Sequence, residues 1–519
     1  MQGEWTPRDL DLLRQHAIPV EEAERQLRLF ARPPHFLQLD RPCTLGDGIR
    51  HLDQTERAAC LEAYEAARLA GRFLKFVPAS GAASRMFAPL LEALHGRSSL
   101  RRDDLAARHD DAADEVLCFA DSLPLFAFHD QLRRSLAASG LDLGTLLAGD
   151  LRPALEHLLT AKGLAYGDVP KGLLPFHRYS GTPRTAFEEH LVEAAHAIAD
   201  REGCCRLHFT VAPEWLPRFE ALLASRRPDL ETRFGVRFDI GFSSQKAATA
   251  TLAVDLEGYA FRNDAGDLLL RPGGHGALLE NLGALGADLV MIKNIDNVTT
   301  EDQLADTLLW KKVLGGYLCS LQQRLFAHVS RLQSGGAPER AVEEALHFVR
   351  DDLGLTVPPA VTAAGTTAQR DFLLQRLDSP VRVCGMVHNR GEPGGGPFWV
   401  RGADEESTVQ IVERAQIDTS NPEQQRIFAS MTHFSPVDLV CGLRDARGQA
   451  FALQRYVDHE AVFISEKSSA GRKLRALEHP GLWNGGMSRW ITLLVEVPET
   501  TFNPVKTIND LLRPAHQPQ

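Results

Sequence analysis

Apolar positions change their spacing several times along the chain, and each change marks an element. In residues 6–31, Leu10, Leu12, Leu13, Val20, Ala23 and Leu27 form a stripe at helical spacing, broken near Ile18-Pro19 and started by Thr6-Pro7. A second helix is predicted from about Gln54 to Ala70, where Gly71 stops it. The run Phe73-Leu74-Lys75-Phe76-Val77 reads as a strand, and Pro78-Ala79-Ser80-Gly81-Ala82-Ala83-Ser84 as a turn of small residues. Helical spacing resumes at Met86, Leu90, Leu91 and Leu94 and ends at Gly96. Strand, small-residue loop and helix in that order open a nucleotide-binding βα unit.

Residues 100–165 are mostly helical by pattern and read as an insertion. Between 205 and 300 strands alternate with short helices; Leu207–Val211, Phe238–Phe242 and Leu289–Ile292 look like buried strands. That alternation predicts a mainly parallel sheet. Residues 301–350 are helical again, 357–368 are rich in Pro, Ala and Thr and suit a linker, and 380–519 carry strand-like runs between Gly-rich turns. The expected fold class is α/β with a Rossmann-like mixed, mainly parallel sheet. Its expected parts are a helical segment over 1–71, a nucleotide-binding core over 72–355 with a helical insertion at about 97–165, and an α+β part over 369–519.

Composition narrows the function. The chain has 519 residues, 44% hydrophobic and 24% charged, ample for a large core. A net charge of −11 without a Lys/Arg-rich block argues against a nucleic-acid surface. A small anionic ligand stays open, because backbone N–H groups and a few local cations suffice for it. Met1–Asp9 lacks the basic and apolar regions of a signal peptide, and no stretch approaches the roughly 18 apolar residues of a membrane span. The eight cysteines are scattered, with Cys204-Cys205 the only close pair and no Cys-x-x-Cys. Reduced thiols in a cytoplasmic protein are expected, with no membrane or nucleic-acid partner.

Several segments have residue types suited to chemistry. Ala79, Ser80, Gly81, Ala82, Ala83 and Ser84 let main-chain N–H groups approach phosphate oxygens, and Arg85 adds a forked cation. The plain alternative is a tight strand-to-helix turn. Lys171, between Pro170 and Pro175, can meet a triphosphate as a point charge, or be a surface lysine. Arg271-Pro272-Gly273-Gly274-His275-Gly276 concentrates glycine where a ligand would lie against the main chain, with His275 as a neutral donor or acceptor; a helix-entry turn is the alternative. Asp296-Asn297 follows an apolar strand, the position where a carboxylate can hold Mg²⁺ between phosphates, and equally a common turn. Gln245 follows the strand Phe238–Phe242, Glu413 and Gln416 follow Val409–Val412, and Lys506 lies in Phe502–Asp510; each is ordinary taken singly. The run Cys384–Val400 contains Glu392-Pro393-Gly394-Gly395-Gly396-Pro397, a hairpin crossover or a sugar-facing loop.

The order of these segments resembles that of sugar-phosphate nucleotidyltransferases, and of UDP-sugar pyrophosphorylases in particular. Ala79–Met86 resembles their Gly-rich loop, Val169–Pro175 their Lys-x-x-x-Pro segment, and Pro272–Gly276 their Pro-x-Gly-His-Gly segment. Lys293–Asn297 resembles their Asp-Asn metal and sugar segment, Val412–Ile417 their sugar-binding Glu strand, and Phe502–Asp510 their late Pro-x-Lys-x-x-x-Asp segment. The similarities spread from about residue 72 to 511. The whole chain also resembles a bacterial domain-of-unknown-function family, through Val77–Met86, Arg271–Leu282, Val383–Val400, Gly481–Met487 and Pro504–Arg513.

The resemblance implies a fold of the nucleotide-diphospho-sugar transferase type, with a nucleoside triphosphate, expected to be UTP, and a sugar 1-phosphate as substrates and Mg²⁺ as cofactor. It implies that Ser80–Ser84 cradle the triphosphate while Arg85 and Lys171 neutralise it. Gly274, Gly276 and Gln245 would lie near the base, and His275, Asn297, Glu413 and Gln416 would face the sugar. Asp296 would hold Mg²⁺, and Lys506 would bridge the two phosphates. There are departures: Ala83 stands where many relatives have glycine, the insertion before Lys171 is long, and the Gly-rich extension after Cys384 is absent from pyrophosphorylases. His275 matches the hexose branch, while Val412–Ile417 is closer to the hexosamine branch. Two rivals are a nucleotide-sugar-dependent glycosyltransferase and a non-catalytic nucleotide-sugar binder. The first usually carries an Asp-x-Asp motif that Asp296-Asn297 does not supply; the second leaves Arg85, Lys171, Asp296 and Lys506 together without a purpose.

Overall fold

Long apolar runs become interior strands and amphipathic stretches become the helices around them. A computed structural model describes residues 5–32, 35–96, 98–334, 339–391, 394–402 and 406–518. The chain forms two compact units, each assembled from separate segments. The first comprises Met1–Phe76, Ser243–Ile292 and Lys312–Glu499; the second comprises Val77–Phe242, Lys293–Lys311 and Thr500–Gln519.

The first unit is built on a large sheet. Its strands lie in the order Thr44–Leu45, Gly48–Arg50, Ile491–Glu496, Val381–His388, Asp438–Gly442, Leu289–Lys293 and Phe73–Pro78. Val381–His388 runs parallel to Ile491–Glu496, which runs parallel to Gly48–Arg50, and Leu289–Lys293 runs parallel to Phe73–Pro78. Asp438–Gly442 pairs antiparallel with Val381–His388. Leu289, Val290, Met291 and Ile292 are all buried, as expected of a strand covered on both faces. The fold class is therefore mixed α/β with a mostly parallel main sheet, as the alternation of strands and helices predicted. Two antiparallel sheets complete this unit. One orders Gln38–Pro42, Gly396–Arg401 and Ser407–Val412; the other orders Leu270–Arg271, Thr251–Val254, Arg472–Glu478 and Phe463–Ser469. The helix Val20–Ala31 buries Leu29 and Phe30 against Val254 and Leu477 of the latter.

In the second unit the strand Cys204–Thr210 neighbours Arg237–Ser243. The helix Ala186–Ala197 starts on a reciprocal cap between Thr185 and Glu188, and Phe187 packs on Phe209 and Phe219 with ring centroids 4.6 and 5.5 Å apart. The predicted insertion is helical throughout its regular part, from Arg102–Ala106 to Arg152–Leu159.

Two local readings change. The helix expected to resume at Met86 begins at Ala88, after a single 3₁₀ turn over Ala83–Arg85. Pro89 in its first turn has no N–H to give the Arg85 carbonyl, so that bond is missing where the loop meets the helix, although the Phe87 N–H donates to Ala83 O at 3.0 Å. The stretch 357–368 carries the helix Pro359–Thr362 and the start of Thr366–Leu377, and both fall inside the segment Lys312–Glu499 of the first unit. Of the Gly-rich run after Cys384, Glu392 and Pro393 lie outside the described residues, while Gly396 opens a strand. Among the described residues no helix is long and apolar enough to cross a membrane. The cysteines are free thiols, all buried except Cys118.

Candidate active site

Four chain segments converge within the second unit. The small-residue loop leaves its strand with the Ala79 N–H donating to the Thr210 carbonyl at 2.8 Å. It then runs beside the Lys171 segment: Ala82 bridges to Pro170, the Ala83 N–H donates to Val169 O at 3.0 Å, and the Lys171 N–H donates to Gly81 O at 3.2 Å. Gly172 is fixed by packing, since a Cβ there would lie 3.0 Å from the Phe219 ring. The third segment follows the strand Leu289–Lys293, and His190 Nε2 holds it by donating to Ile295 O at 3.2 Å. The fourth lies against it: Asn297 bridges to Pro504, and the Val505 N–H donates to Asp296 O at 3.0 Å. The Ile508 N–H donates to Met86 O at 3.0 Å, joining the fourth segment to the first.

This convergence gathers the charged side chains. Lys171 Nζ lies 2.8 Å from Asp296 Oδ2 and donates to the Val505 carbonyl at 2.6 Å. Lys506 Nζ reaches the same Asp296 oxygen at 3.4 Å. The Lys171 and Asp296 side chains are each only 10% exposed, whereas that of Lys506 is 49% exposed. Burial pushes the Lys171 ammonium below its usual range; Asp296 opposes this, while Lys506 and Arg85 add to it. Burial alone would raise the Asp296 carboxyl, but Lys171 and Lys506 hold it below the usual carboxylate range. Two ammonium groups on one carboxylate leave this cluster net positive.

Beside it, Ser80, Gly81, Ala82, Ser84 and Arg85 are exposed, whereas Ala79 and Ala83 are buried with their N–H groups bonded within the protein. A Cβ on Gly81 would meet nothing within 4 Å, so no packing demand accounts for glycine there. Asn297 is buried; its Oδ1 accepts the Asn503 N–H at 2.9 Å, and its Nδ2 has no hydrogen-bond partner among the described residues.

The remaining predicted residues belong to the first unit. Gln245 Nε2 donates to Gly274 O at 2.8 Å. His275 stacks on Trp483 at 4.2 Å and its Nδ1 accepts the Leu482 N–H at 3.1 Å; burial lowers its pKa to about 4, so the ring is neutral. The glycines around it meet an internal demand. Gly274 has φ +74°, and a Cβ on Gly276 would lie 2.1 Å from the Pro480 carbonyl oxygen. Close approach of the chain to Glu478–Pro480 thus explains the glycine cluster that the sequence attributes to a ligand. The Glu413 carboxyl is raised by burial and by Glu478, and its N–H donates to Gln416 Oε1 at 3.0 Å, closing a turn. Gln416 is buried, with Nε2 unpartnered among the described residues.

Two supporting residues were given no role by the sequence reading. Asp510 accepts the Lys506 N–H at 2.7 Å and the Thr507 N–H at 2.8 Å, and so fixes the backbone that carries Lys506. Its signal was present, because Thr507-Ile508-Asn509-Asp510 has capping-box spacing. His190 carried none, as it stands far from Ile295 in sequence.

In the second unit these residues offer a cluster of cations on one buried carboxylate beside an exposed loop. Asp296 Oδ2 is engaged by the two lysines, and a single carboxylate is the attachment by which Mg²⁺ commonly joins substrate phosphates.

Comparison with known proteins gave three results. The chain is similar to solved structures of the uridine diphosphate N-acetylglucosamine pyrophosphorylase from Trypanosoma brucei, at 13% identity and a TM-score of 0.45, covering 97% of this chain and 74% of that one. It is also similar to the UDP-glucose pyrophosphorylase from Leishmania major, at 12% identity and a TM-score of 0.43, covering 99% and 79% respectively. No curated protein matches the sequence. Residues 6–517 match the family model described as domain of unknown function (DUF4301), and the chain belongs to that family.

Proposed function

We propose that this protein is a nucleotidyltransferase that joins a nucleoside triphosphate and a sugar 1-phosphate into a nucleotide-sugar and releases pyrophosphate. The observation that carries this reading is the buried Lys171–Asp296 pair, with Lys506 on the same carboxylate oxygen, beside an exposed loop whose Gly81 has no packing role. Ser80, Gly81, Ala82 and Ser84 lie against the triphosphate. Arg85 and Lys171 neutralise its charge, and Lys506, whose side chain is half in water, bridges to the sugar phosphate. Asp296 holds Mg²⁺, which when bound supplies further neutralisation of the phosphate oxygens. The sugar phosphate oxygen attacks the α-phosphorus in line and pyrophosphate departs, so the protein's contribution is placement and charge rather than a covalent nucleophile.

Uridine, and the roles of Gln245, Gly274 and Gly276 toward the base and of His275, Asn297, Glu413 and Gln416 toward the sugar, rest on the sequence resemblance. The test is pyrophosphate release with Mg²⁺, with UTP and the other triphosphates screened against a panel of sugar 1-phosphates. Release that requires both substrates is expected. Binding of nucleotide or nucleotide-sugar without release from any pair would overturn the transferase reading.

A further inference from the structure

The main sheet of the first unit carries a second cluster at its strand ends, and none of its residues belongs to the nucleotide site proposed above. Val381–His388 ends in His388, and the parallel neighbour Ile491–Glu496 ends in Glu496, which stands opposite Met386. His433 stands directly opposite His388 across a short antiparallel pair. One donor atom from each of His388, His433 and Glu496 lies within 4.8 Å of the others. We propose that His388, His433 and Glu496 form a binding site for a first-row transition metal ion, with Zn²⁺ the best fit.

Three features separate this cluster from an ordinary ion pair. Both imidazoles present Nε2 to the same oxygen, Glu496 Oε1, at 3.4 and 3.6 Å. Ligands about 2.0–2.1 Å from a tetrahedral zinc are separated from one another by roughly 3.3 Å, so these distances match the edges of such a site. His433 is 2% exposed, and its Nε2 has no hydrogen-bond partner among the described residues. The two rings stack at 4.6 Å, and a cation beside Glu496 Oε1 would give this buried nitrogen a partner. Lastly, the outer contacts suit ligation. His433 Nδ1 lies 2.9 Å from Thr432 Oγ1, and donation to that hydroxyl leaves the lone pair on Nε2. His51 follows the next parallel strand, and its Nδ1 lies 3.2 Å from Glu496 Oε2, so it braces the carboxylate from its other oxygen. Two imidazoles and one carboxylate favour zinc and its neighbours over Mg²⁺ or Ca²⁺, which prefer all-oxygen sites. His388 is exposed and gives the ion a way in.

The test is titration of the full chain, stripped with chelator, with Co²⁺ followed by visible absorption. One equivalent is expected to give the intense d–d bands of four-coordination, to be displaced by Zn²⁺ and to survive excess Mg²⁺. His388→Ala, at an exposed position, and Glu496→Gln should each weaken Co²⁺ affinity by more than about tenfold, and His51→Ala by about tenfold. Asp296→Asn should leave this site unchanged, which separates it from the proposed Mg²⁺ position. Circular dichroism of each metal-free variant verifies that it is folded. Absence of a stoichiometric site in the parent chain, or retention of its affinity in folded His388→Ala or Glu496→Gln, would overturn the proposal.

Discussion

Replacing Asp296 with asparagine tests whether the candidate active site is held together as a charge pair. The substitution keeps the side chain's shape and removes only its charge. Lys171 would then be a buried cation facing a neutral amide oxygen, with the Val505 carbonyl at 2.6 Å as its other contact. Removing one partner of a buried pair typically costs about 3–5 kcal/mol. The retained amide oxygen places this change at the lower end, about 3 kcal/mol, a large share of the roughly 5–15 kcal/mol of a folded domain. Lys171→Met together with Asp296→Asn removes both charges, and most of the lost stability should return, giving a coupling of about 2 kcal/mol or more. The pH dependence supplies a second signature. Lys171 has a folded-state pKa below its unfolded value, so between the two the unfolded chain binds more protons. Without Asp296 that gap widens, and the Asp296→Asn variant should gain stability as pH rises toward the unfolded lysine value near 10.4. Urea unfolding followed by circular dichroism at several pH values measures both effects. Single-variant losses that add within about 0.5 kcal/mol in the double variant would refute the pairing argument.

The remaining predictions use other parts of the molecule. Asp296→Ala should abolish Mg²⁺-dependent pyrophosphate release, and turnover equal to the parent's would sink the metal assignment. Lys506→Ala should lower turnover strongly while changing stability by less than about 1 kcal/mol, because this half-exposed ammonium is solvated; kinetics and a melting curve together check the split. Gly81→Ala should leave the melting temperature nearly unchanged but weaken triphosphate binding by calorimetry. Gly276→Ala should lower stability by about 3 kcal/mol, because its Cβ would overlap the Pro480 carbonyl. His275, with a folded pKa of about 4, binds fewer protons than the unfolded chain between there and pH 6.5. Stability should therefore fall by about 3 kcal/mol as pH drops through that window, and His275→Gln should flatten the fall in denaturant midpoints.

The sequence made the main sheet legible because its strands are uninterrupted apolar runs. Leu289–Ile292 and Phe73–Val77 could be read locally, and they pair in parallel register, Leu289 with Phe73 and Ile292 with Phe76. Lys171, Asp296 and Lys506 could be named because each sits beside a proline, glycine or strand end that local patterns mark. Their shared carboxylate oxygen could not, since 125 and 210 residues separate the lysines from Asp296 and only the tertiary fold fixes those distances. Glycine misled for the opposite reason. Sequence alone shows that Gly274 and Gly276 relieve a close approach but not what approaches, and the neighbour is the chain's own Glu478–Pro480 rather than open space.

That contrast gives a criterion for assigning function to the loops. Gly276 is demanded by the protein's own backbone, so its loss should damage folding whatever the segment binds. Gly81 meets no internal demand, and neither stability nor packing requires it. The charges divide in the same way. Lys293 Nζ lies 2.7 Å from Glu193 Oε2, with both side chains 1% exposed, so this buried pair is closed to solvent. Lys171 is buried too, but its carboxylate is shared with Lys506, whose side chain is half in water. A carboxylate that joins an interior cation to an exposed one can release its outer partner to a phosphate, or exchange it for a metal, without stranding the inner charge. Glu193 is shared instead with Lys311, whose Nζ lies 3.5 Å from its Oε1 and whose side chain is also 1% exposed, so that second cation is as buried as the first. Function is therefore best sought at Asp296 and Gly81, and the scaffold at Glu193 and Gly276.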